Sequence, residues 1–388
     1  METMTFKTDF DQILSENELN ALYEFSNSQG RPPSWSVVFC HDFHKKNARR
    51  ADFTTYLAFK AIIGENIGKE WLESQKHRLL PPSKYSEIAS MMAEIRCYGG
   101  LLQAGFYIEP VPTQESPTPD FKAKFENKLN PADEGREFYI EVAAKREDQK
   151  ETQISEDVSK GLTPEGVYRN EYSRGNKKLT MLTREMHPFG KPSREKKNDS
   201  TQANAISRIC AIKQFEKQVV EAEPTVLWID FIDFDSFRGT TLKDHFGPLS
   251  VHIHNGTLIS GVIWYAFYGW EGAPILEPHG HTEKKVEMGH DGRFNSKNKP
   301  SKFNGAIICI EGKTVFFENP VATNPLNQNE LMMLHGLPSF DLNKSIASWW
   351  SGAAIKKVEH QTTTIKVISE MNIRPAAGHY GPLNLAVK

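Results

Sequence analysis

The stretch that decides the fold runs from Glu94 to Lys145 and ends in FYIEVAAK, residues 138–145. This run is apolar and β-prone except at Glu141, which predicts a largely buried strand with one carboxylate inside it. Burying a carboxylate is costly unless it is paired or binds a metal ion, so a purely structural role for Glu141 is disfavoured. Side chains alternate along a strand, which places Glu141 and Lys145 on the same face.

Three further elements lead up to this strand. Residues 86–104 carry apolar side chains at helical spacing, and a glycine at position 105 is a helix stop signal. Residues 106–111 and 121–125 are typical of short strands, and Pro119-Asp120 opens the second. The order helix, strand, strand, strand predicts that four ionisable residues lie in one small region: Glu94, Asp120, Glu141 and Lys145.

These residue types suit the hydrolysis of a phosphodiester bond. That reaction needs charge on the phosphoryl oxygens to be neutralised and a hydroxide to form near neutral pH, and Mg²⁺ can do both. Mg²⁺ prefers oxygen ligands, typically one or two carboxylates completed by water and substrate phosphate. Neighbouring strands lie about 4.8 Å apart, so Asp120 and Glu141 can face one ion, with Mn²⁺ as a substitute. Glu94 would add a ligand or a base, and Lys145 would orient water or stabilise the transition state.

The pattern resembles the PD-(D/E)xK nuclease superfamily, the core shared by restriction endonucleases, junction resolvases and repair nucleases. The residues that carry the resemblance are Glu94 in the first helix, Gly105, Pro119-Asp120, and Glu141 followed by Lys145. It implies an α/β fold with a restriction endonuclease-like core of the order α-β-β-β-α-β, in which helices flank a mixed central sheet. It also implies Mg²⁺-dependent hydrolysis of nucleic acid, in which Asp120 and Glu141 bind metal, Glu94 assists and Lys145 is the catalytic lysine.

The position of the lysine departs from the family pattern. The family places it two residues after the second acid, where this chain has Ala143, whereas Lys145 comes four residues after that acid. Four residues span roughly 13 Å of extended strand, which a lysine side chain bridges only in part. The role is therefore open among Lys145, Lys122 on the preceding strand, Lys213 on a later helix, and no lysine at all.

The segment after this core stretch is basic. Residues 166–200 hold nine lysines and arginines against four acids, which predicts a phosphate-tracking flap beside the metal site. We expect its lysines, together with Lys213 from the later helix, to contact nucleic acid: Lys177, Lys178, Lys196 and Lys197. A solvated loop is the equal alternative, because residues 146–200 show no clean periodicity.

The core resumes after this insertion. Residues 203–221 predict the second helix, which carries Lys213, and residues 226–231 predict a central buried strand. Residues 258–268 are strongly apolar and predict a further strand of the sheet, and residues 305–317 predict a hairpin.

Composition sets the remaining expectations. With 388 residues, 38% hydrophobic and 25% charged, the chain is typical of a globular protein, and its net charge of −2 leaves nucleic-acid binding to a local basic patch. Four well-separated cysteines and no apolar leader or membrane-length run predict a cytoplasmic protein that does not enter a membrane. We expect three units: a mainly helical N-terminal region (1–79), the nuclease-like core (80–270) with the basic insertion (146–200), and a β-rich C-terminal extension (271–388).

The expected function is that of a metal-dependent endonuclease. The resemblance favours DNA over RNA, and a chain without an ATPase motif fits restriction or anti-phage defence. A homodimer or higher homo-oligomer is the expected assembly, since cutting two strands benefits from two sites. The rival is a catalytically inactive nuclease fold that binds nucleic acid or serves assembly, which the displaced lysine supports and the clustered carboxylates oppose. The acids also have plainer interpretations, because Pro-Asp pairs often form turns and Glu94 alone fits a solvated helix.

Overall fold

The structure is a computed structural model in which strands far apart in the sequence form one central sheet. It describes residues 13–28, 50–80, 85–112, 115–125, 135–145, 151, 153–154, 157–158, 161–175, 177–183, 187–193, 199–234, 245–248, 250–251, 256–279, 282–296, 299–310 and 313–341. Within these ranges the chain forms a mixed α/β architecture.

Helices come first in the described part of the chain. Their bounds are α1 (Glu16–Ser28), α2 (Arg50–Ile63), α3 (Asn66–Leu79) and α4 (Tyr85–Gln103). The helix predicted at residues 86–104 is α4, and it stops before Gly105, whose φ of +89° lies in the left-handed region that favours glycine. Helices α2 and α4 pack closely, because a Cβ at Gly99 would lie 2.1 Å from the carbonyl oxygen of Ala58.

Strands and helices then alternate. In chain order they are β1 (Phe106–Pro110), β2 (Phe121–Phe125), β3 (Glu137–Ala144), β4 (Tyr168–Arg174), β5 (Lys177–Thr183), α5 (Thr201–Cys210), β6 (Thr225–Asp230), β7 (Ser250–Val251), β8 (Leu258–Ile259), α6 (Val262–Tyr268), β9 (Pro274–His279), β10 (Thr282–Glu287), β11 (Gly305–Ile310), β12 (Lys313–Glu318) and α7 (Gln328–Leu334). The order α4, β1, β2, β3, α5, β6 is the element order expected from the sequence, with the β4–β5 hairpin between β3 and α5.

The central sheet has six strands in the order β1-β2-β3-β6-β11-β12. Neighbours are antiparallel at β1–β2, β2–β3 and β11–β12, and parallel at β3–β6 and β6–β11, so the sheet is mixed. Its last two strands, β11 and β12, come from the predicted C-terminal extension (271–388). The sheet therefore includes strands from both sides of the predicted boundary between core and extension at residue 270. The hairpin predicted at residues 305–317 is confirmed as β11 and β12.

Helices cover both faces of this sheet, as β6 shows. Val226 and Trp228 pack in one core with α2, α3 and α4, whereas Leu227 and Ile229 pack in a second core with α5 and α6. On β3, Ile140 belongs to the first core. Because side chains alternate along a strand, its neighbour Glu141 faces the second side, where α5 lies.

Two sequence-based expectations are wrong in this region. The apolar run at residues 258–268 is mainly helix α6, because an unbroken apolar run fits a buried helix as well as a buried strand, and every residue of α6 is buried. The helix expected at residues 203–221 ends at Cys210. Beyond it, Lys213 and Glu216 adopt φ values of 52° and 49°, which a right-handed helix cannot contain.

The basic insertion also differs from expectation. It was expected to lack regular structure, but residues 168–183 form the antiparallel hairpin β4–β5, in which Tyr172 pairs with Leu179. The hairpin was not recognised because its strands are polar on one face and exposed on both. Lys196 and Lys197 lie outside the described residues.

Candidate active site

Asp120 is held against β3 at the point where β2 begins. Its backbone amide donates to the carbonyl oxygen of Ile140 (3.0 Å), and its Oδ2 accepts the amide of Val142 (2.7 Å). These two bonds bracket Glu141, so the Asp120 carboxylate lies beside the strand position that carries the second acid. The Pro-Asp pair is therefore more than a surface turn, because its carboxylate extends the hydrogen bonding between two central strands.

Glu141 is a buried acid with one open oxygen. Its side chain is only 3% exposed, and its Oε1 forms an ion pair with Nζ of Lys213. Its Oε2 is buried and has no hydrogen-bond partner in the described part of the chain. A buried carboxylate oxygen without a donor is costly, and a bound cation is one way to satisfy it.

Glu94 has a partner that the sequence did not reveal. The guanidinium of Arg78 on α3 binds it through two parallel bonds of 2.6 Å each, with side chains 24% and 13% exposed. Bidentate arginine–carboxylate pairs are the stronger kind of ion pair. Glu94 is thus neutralised from the α3 side, although its charge still acts on Asp120.

The three candidate lysines have different positions. Lys213 contacts Glu141 directly. Lys122 bridges the acids of the flanking strands, with Nζ 2.6 Å from Glu109 and 3.2 Å from Glu137. Lys145 follows β3, and its backbone amide donates to the carbonyl oxygen of Asp230 on β6 (2.8 Å). Lys213 is thus a lysine in direct contact with a site carboxylate.

Burial and neighbouring acids disfavour the ionised forms of Asp120 and Glu141. Burial first, and then the charge of Glu94, raise the pKa of Asp120 to about 6. Burial first, and then the charge of Asp120, raise the pKa of Glu141 to about 7, although Lys213 acts in the opposite direction. Neighbouring carboxylates with raised pKa values are characteristic of functional sites.

These residues fit a divalent ion bound by two carboxylates. Mg²⁺ commonly takes only one or two protein carboxylates, so Asp120 and Glu141 suffice, and the open Oε2 of Glu141 supplies a free ligand atom. A cation there would also offset the repulsion between the two acids. The three-carboxylate set expected from the sequence is not assembled, because within the described ranges no three such side chains are grouped to hold a metal ion. Glu94 is bound to Arg78 instead.

An open cleft of about 790 Å³ adjoins Asp120. It lies between α3 and the loop that precedes β2, and its wall includes the Arg78–Glu94 pair. Acids outnumber bases along this wall, with Glu70, Glu94, Glu115 and Asp120 against Arg78. A polyanion is repelled from such a surface, so this cleft by itself does not favour a phosphate backbone.

The predicted nucleic-acid contacts are only partly placed. Lys177 and Lys178 lie on β5 and are exposed, but they are consecutive, so they point to opposite faces of the hairpin. Large exposed side chains of the hairpin share one face: Tyr168, Tyr172, Leu179 and Met181. Lys177 belongs to that face, and Lys178 belongs to the polar one.

Comparisons of the whole chain with family models, with curated proteins and with solved structures gave no match. The resemblance to the nuclease superfamily therefore depends on the residues and the fold described above. None of the described helices is long and apolar enough to cross a membrane.

The raised pKa values predict how stability depends on pH. An acid whose pKa is higher in the folded state than in the unfolded state binds its proton more tightly when folded, so its ionisation destabilises the fold. In EDTA, we expect the free energy of unfolding to fall as pH rises from about 4, the ordinary carboxyl pKa of the unfolded chain, to about 7, through the folded-state values near 6 and 7. Urea denaturation across this range measures the effect.

The contribution of Glu141 is isolated by a matched pair of variants. Glu141→Gln removes the titration and should flatten the decline, whereas Glu137→Gln, at a half-exposed position on the same strand, should leave it unchanged. Equal slopes for wild type and Glu141→Gln would contradict the prediction.

Proposed function

We propose that this chain is a metal-dependent endonuclease that hydrolyses phosphodiester bonds in DNA, with RNA as the alternative polymer. The observation that carries the proposal is the pairing of the half-buried Asp120, directly before β2, with the buried Glu141 on β3, where Oε2 of Glu141 is open and Lys213 lies beside it. Two acids held side by side at the central sheet are destabilising, so their presence there favours a functional role.

The roles of the residues follow from their positions. Asp120 and Glu141 would hold Mg²⁺, or Mn²⁺ in its place. Such an ion supplies Lewis acidity at the phosphoryl oxygens and lowers the pKa of a bound water. Lys213 presents its ammonium next to Glu141, where it would stabilise the negative charge of the transition state. Arg78 would limit the net negative charge that Glu94 places beside Asp120.

The second candidate function is a nucleic-acid-binding or assembly module without catalysis. It is favoured by the two ion pairs that already neutralise Glu94 and Glu141. An acid that is permanently paired with a lysine needs no metal ion. This alternative predicts that Mn²⁺ does not bind, and that Asp120→Ala leaves any nucleic-acid affinity unchanged.

The test is a cleavage assay on linear, supercoiled and single-stranded DNA and on RNA, with Mg²⁺, Mn²⁺ or EDTA. Metal-dependent cutting identifies the enzyme and its polymer. A titration of Mn²⁺ binding to wild type and to Asp120→Ala accompanies the assay. No cutting together with no Mn²⁺ binding would exclude the nuclease and leave the binding module. A homodimeric assembly and a role in defence stay predictions of the resemblance, and a cytoplasmic location stays a prediction of the cysteine usage and the hydropathy pattern.

Replacing the lysines distinguishes their roles. We expect Lys213→Ala to lower the cleavage rate by about 10²-fold, because removing one charge contact to the transition state commonly has that effect. Lys122→Ala is the control, since Lys122 is bound between Glu109 and Glu137 and should leave the rate near that of wild type. Single-turnover rates measured at saturating Mg²⁺ report the chemical step. A larger loss in Lys145→Ala than in Lys213→Ala would return the role to Lys145.

A further inference from the structure

The chain leaves helix α5 in a turn that carries Lys213 and an exposed aromatic ring. We refer to residues 211–217 as the Lys213 turn. Phe215 lies in it with 71% of its surface exposed, two residues after the lysine that contacts Glu141. A single exposed phenylalanine is common on protein surfaces, so a role for Phe215 has to follow from its surroundings next to the proposed site.

The turn is strained. Lys213 and Glu216, on either side of the ring, both adopt left-handed backbone conformations, with φ values of 52° and 49°. For residues with a side chain this costs on the order of 1–2 kcal/mol each. Such strain persists only where the surroundings hold the backbone in place, and it concentrates at functional sites.

Buried contacts hold the backbone of the turn. Arg293, whose side chain is 4% exposed, donates to the carbonyl oxygens of Ile212 and Lys213. Glu216 accepts bonds from the hydroxyl of Ser301 (2.6 Å) and the amide of Lys302 (2.7 Å). The contacts of Arg293 and Glu216 therefore hold the backbone of the turn on the protein side, while the Phe215 side chain is exposed to solvent.

Positive charge surrounds the ring. Nζ of Lys217 and Nζ of Lys299 each lie 6.0 Å from the centroid of Phe215, at the outer limit of cation–π attraction. Lys213 lies two residues before the ring, with its ammonium paired to Glu141. The acid of the turn, Glu216, is largely buried in its contacts with Arg293 and Ser301, so it does not balance these charges at the surface.

We propose that Phe215 is a stacking platform for an unpaired nucleobase of single-stranded nucleic acid, with Lys217 and Lys299 binding the flanking phosphates. An aromatic ring between flexible cations suits this ligand, because bases stack on aromatic faces and the backbone requires positive charge. A second copy of the chain is disfavoured as the occupant, since a symmetric contact would bring like charges together. The inference rests on the proposed function. Phe215 follows Lys213 by two residues, and Lys213 contacts Glu141, so a base stacked on Phe215 would lie near the proposed metal-binding acids.

The test measures binding rather than cleavage, so that its failure is distinct from failure of the nuclease proposal. Fluorescence anisotropy in EDTA compares a fluorescein-labelled oligothymidylate with a duplex of the same length. We expect Phe215→Ala to weaken binding of the single strand about tenfold or more, and to leave duplex binding unchanged. Phe215→Trp should retain single-strand binding. The control is Phe53→Ala, which removes another exposed phenylalanine (49% exposed) from α2.

Salt dependence separates stacking from charge. Phe215→Ala should leave the slope of log affinity against log salt unchanged, whereas Lys217→Gln with Lys299→Gln should reduce it, because only the lysines displace counterions. The inference is overturned if wild type does not bind the single strand, or if Phe215→Ala binds it like wild type. It is equally overturned if single-strand and duplex affinities fall together, or if wild type sediments as a dimer that Phe215→Ala dissociates.

Discussion

Glutamine in place of Glu141 should abolish Mg²⁺-dependent cleavage while the fold survives intact. Glutamine matches glutamate in size but carries no charge, so it is a poor ligand for a divalent cation. We expect a loss of at least about 10²–10³-fold, the range observed when one group that stabilises developing charge is removed. Rates on the polymer that wild type cuts, measured with Mg²⁺ and with EDTA, provide the comparison.

The expected stability of this variant is as informative as its activity. Burial and the charge of Asp120 raise the pKa of Glu141 to about 7, so its ionised form is the unfavourable one in the fold. A neutral side chain at position 141 should therefore leave stability nearly unchanged at about pH 4, where Glu141 is protonated in both states, and increase it at about pH 7 and above in EDTA. Loss of activity with gain of stability is the pattern of a residue retained for function.

The control lies on the same strand. Glu137→Gln removes a carboxylate that is 45% exposed and paired with Lys122, and it should cut nucleic acid like wild type. Asp120→Asn is a second test, because an amide oxygen can still accept the bond from Val142 while the charge is lost. Turnover at the wild-type rate in Glu141→Gln would refute the assignment of the site.

The sequence predicted the part of the fold whose signals are local. Helix α4 has clear apolar spacing and ends at a glycine, and β3 shows a charge inside an apolar run. The elements that were predicted incorrectly lack such local signals. An unbroken apolar run has neither helical nor strand periodicity, so it does not distinguish the helix α6 from a strand. The residues after Cys210 continue a helical pattern of apolar positions, but the helix ends at Cys210 and Lys213 has a left-handed backbone conformation.

The candidate site was predictable in its acids but not in their partners. Glu141 was singled out because a carboxylate in a buried strand is unusual, and Asp120 because the Pro-Asp pair that opens the preceding strand matches the family pattern. Arg78 meets Glu94 from a different helix, and a pair of residues on separate elements leaves no local pattern in a single sequence. Lys213 was one alternative among three, because its contact with Glu141 depends on a turn that Arg293 holds from a distant segment.

A buried ion cluster centred on Arg96 of α4 also has a signal in the sequence. Asp230 ends the apolar run of β6 much as Glu141 interrupts that of β3. Arg96 on α4 binds both of its carboxylate oxygens (2.7 and 3.0 Å) and also reaches Asp233 (3.1 Å). All three side chains are at most 4% exposed. This cluster joins α4, which carries Glu94, to the central strand of the sheet.

Removing Arg96 should produce the largest loss of stability of any single change considered. Arg96→Met removes the cation that binds both oxygens of the buried Asp230, and breaking a buried pair in this way costs about 3–5 kcal/mol. Arg96→Lys is the matched control, because it retains the charge but cannot make the two-pronged contact, so a smaller loss is expected. Urea denaturation at pH 8 compares the three proteins.

The pH dependence of this loss identifies its cause. Burial raises the pKa of Asp230, and Arg96 opposes that rise, so without Arg96 the carboxyl group holds its proton to still higher pH. A protonated Asp230 no longer carries the buried charge, and the difference between wild type and Arg96→Met should therefore shrink from pH 8 to pH 5. A loss below about 1 kcal/mol at pH 8 would be that of a solvated surface pair and would contradict the buried cluster. A loss that is equal at both pH values would instead point to the packing of the arginine side chain, rather than to its charge, as the interaction that joins α4 to β6.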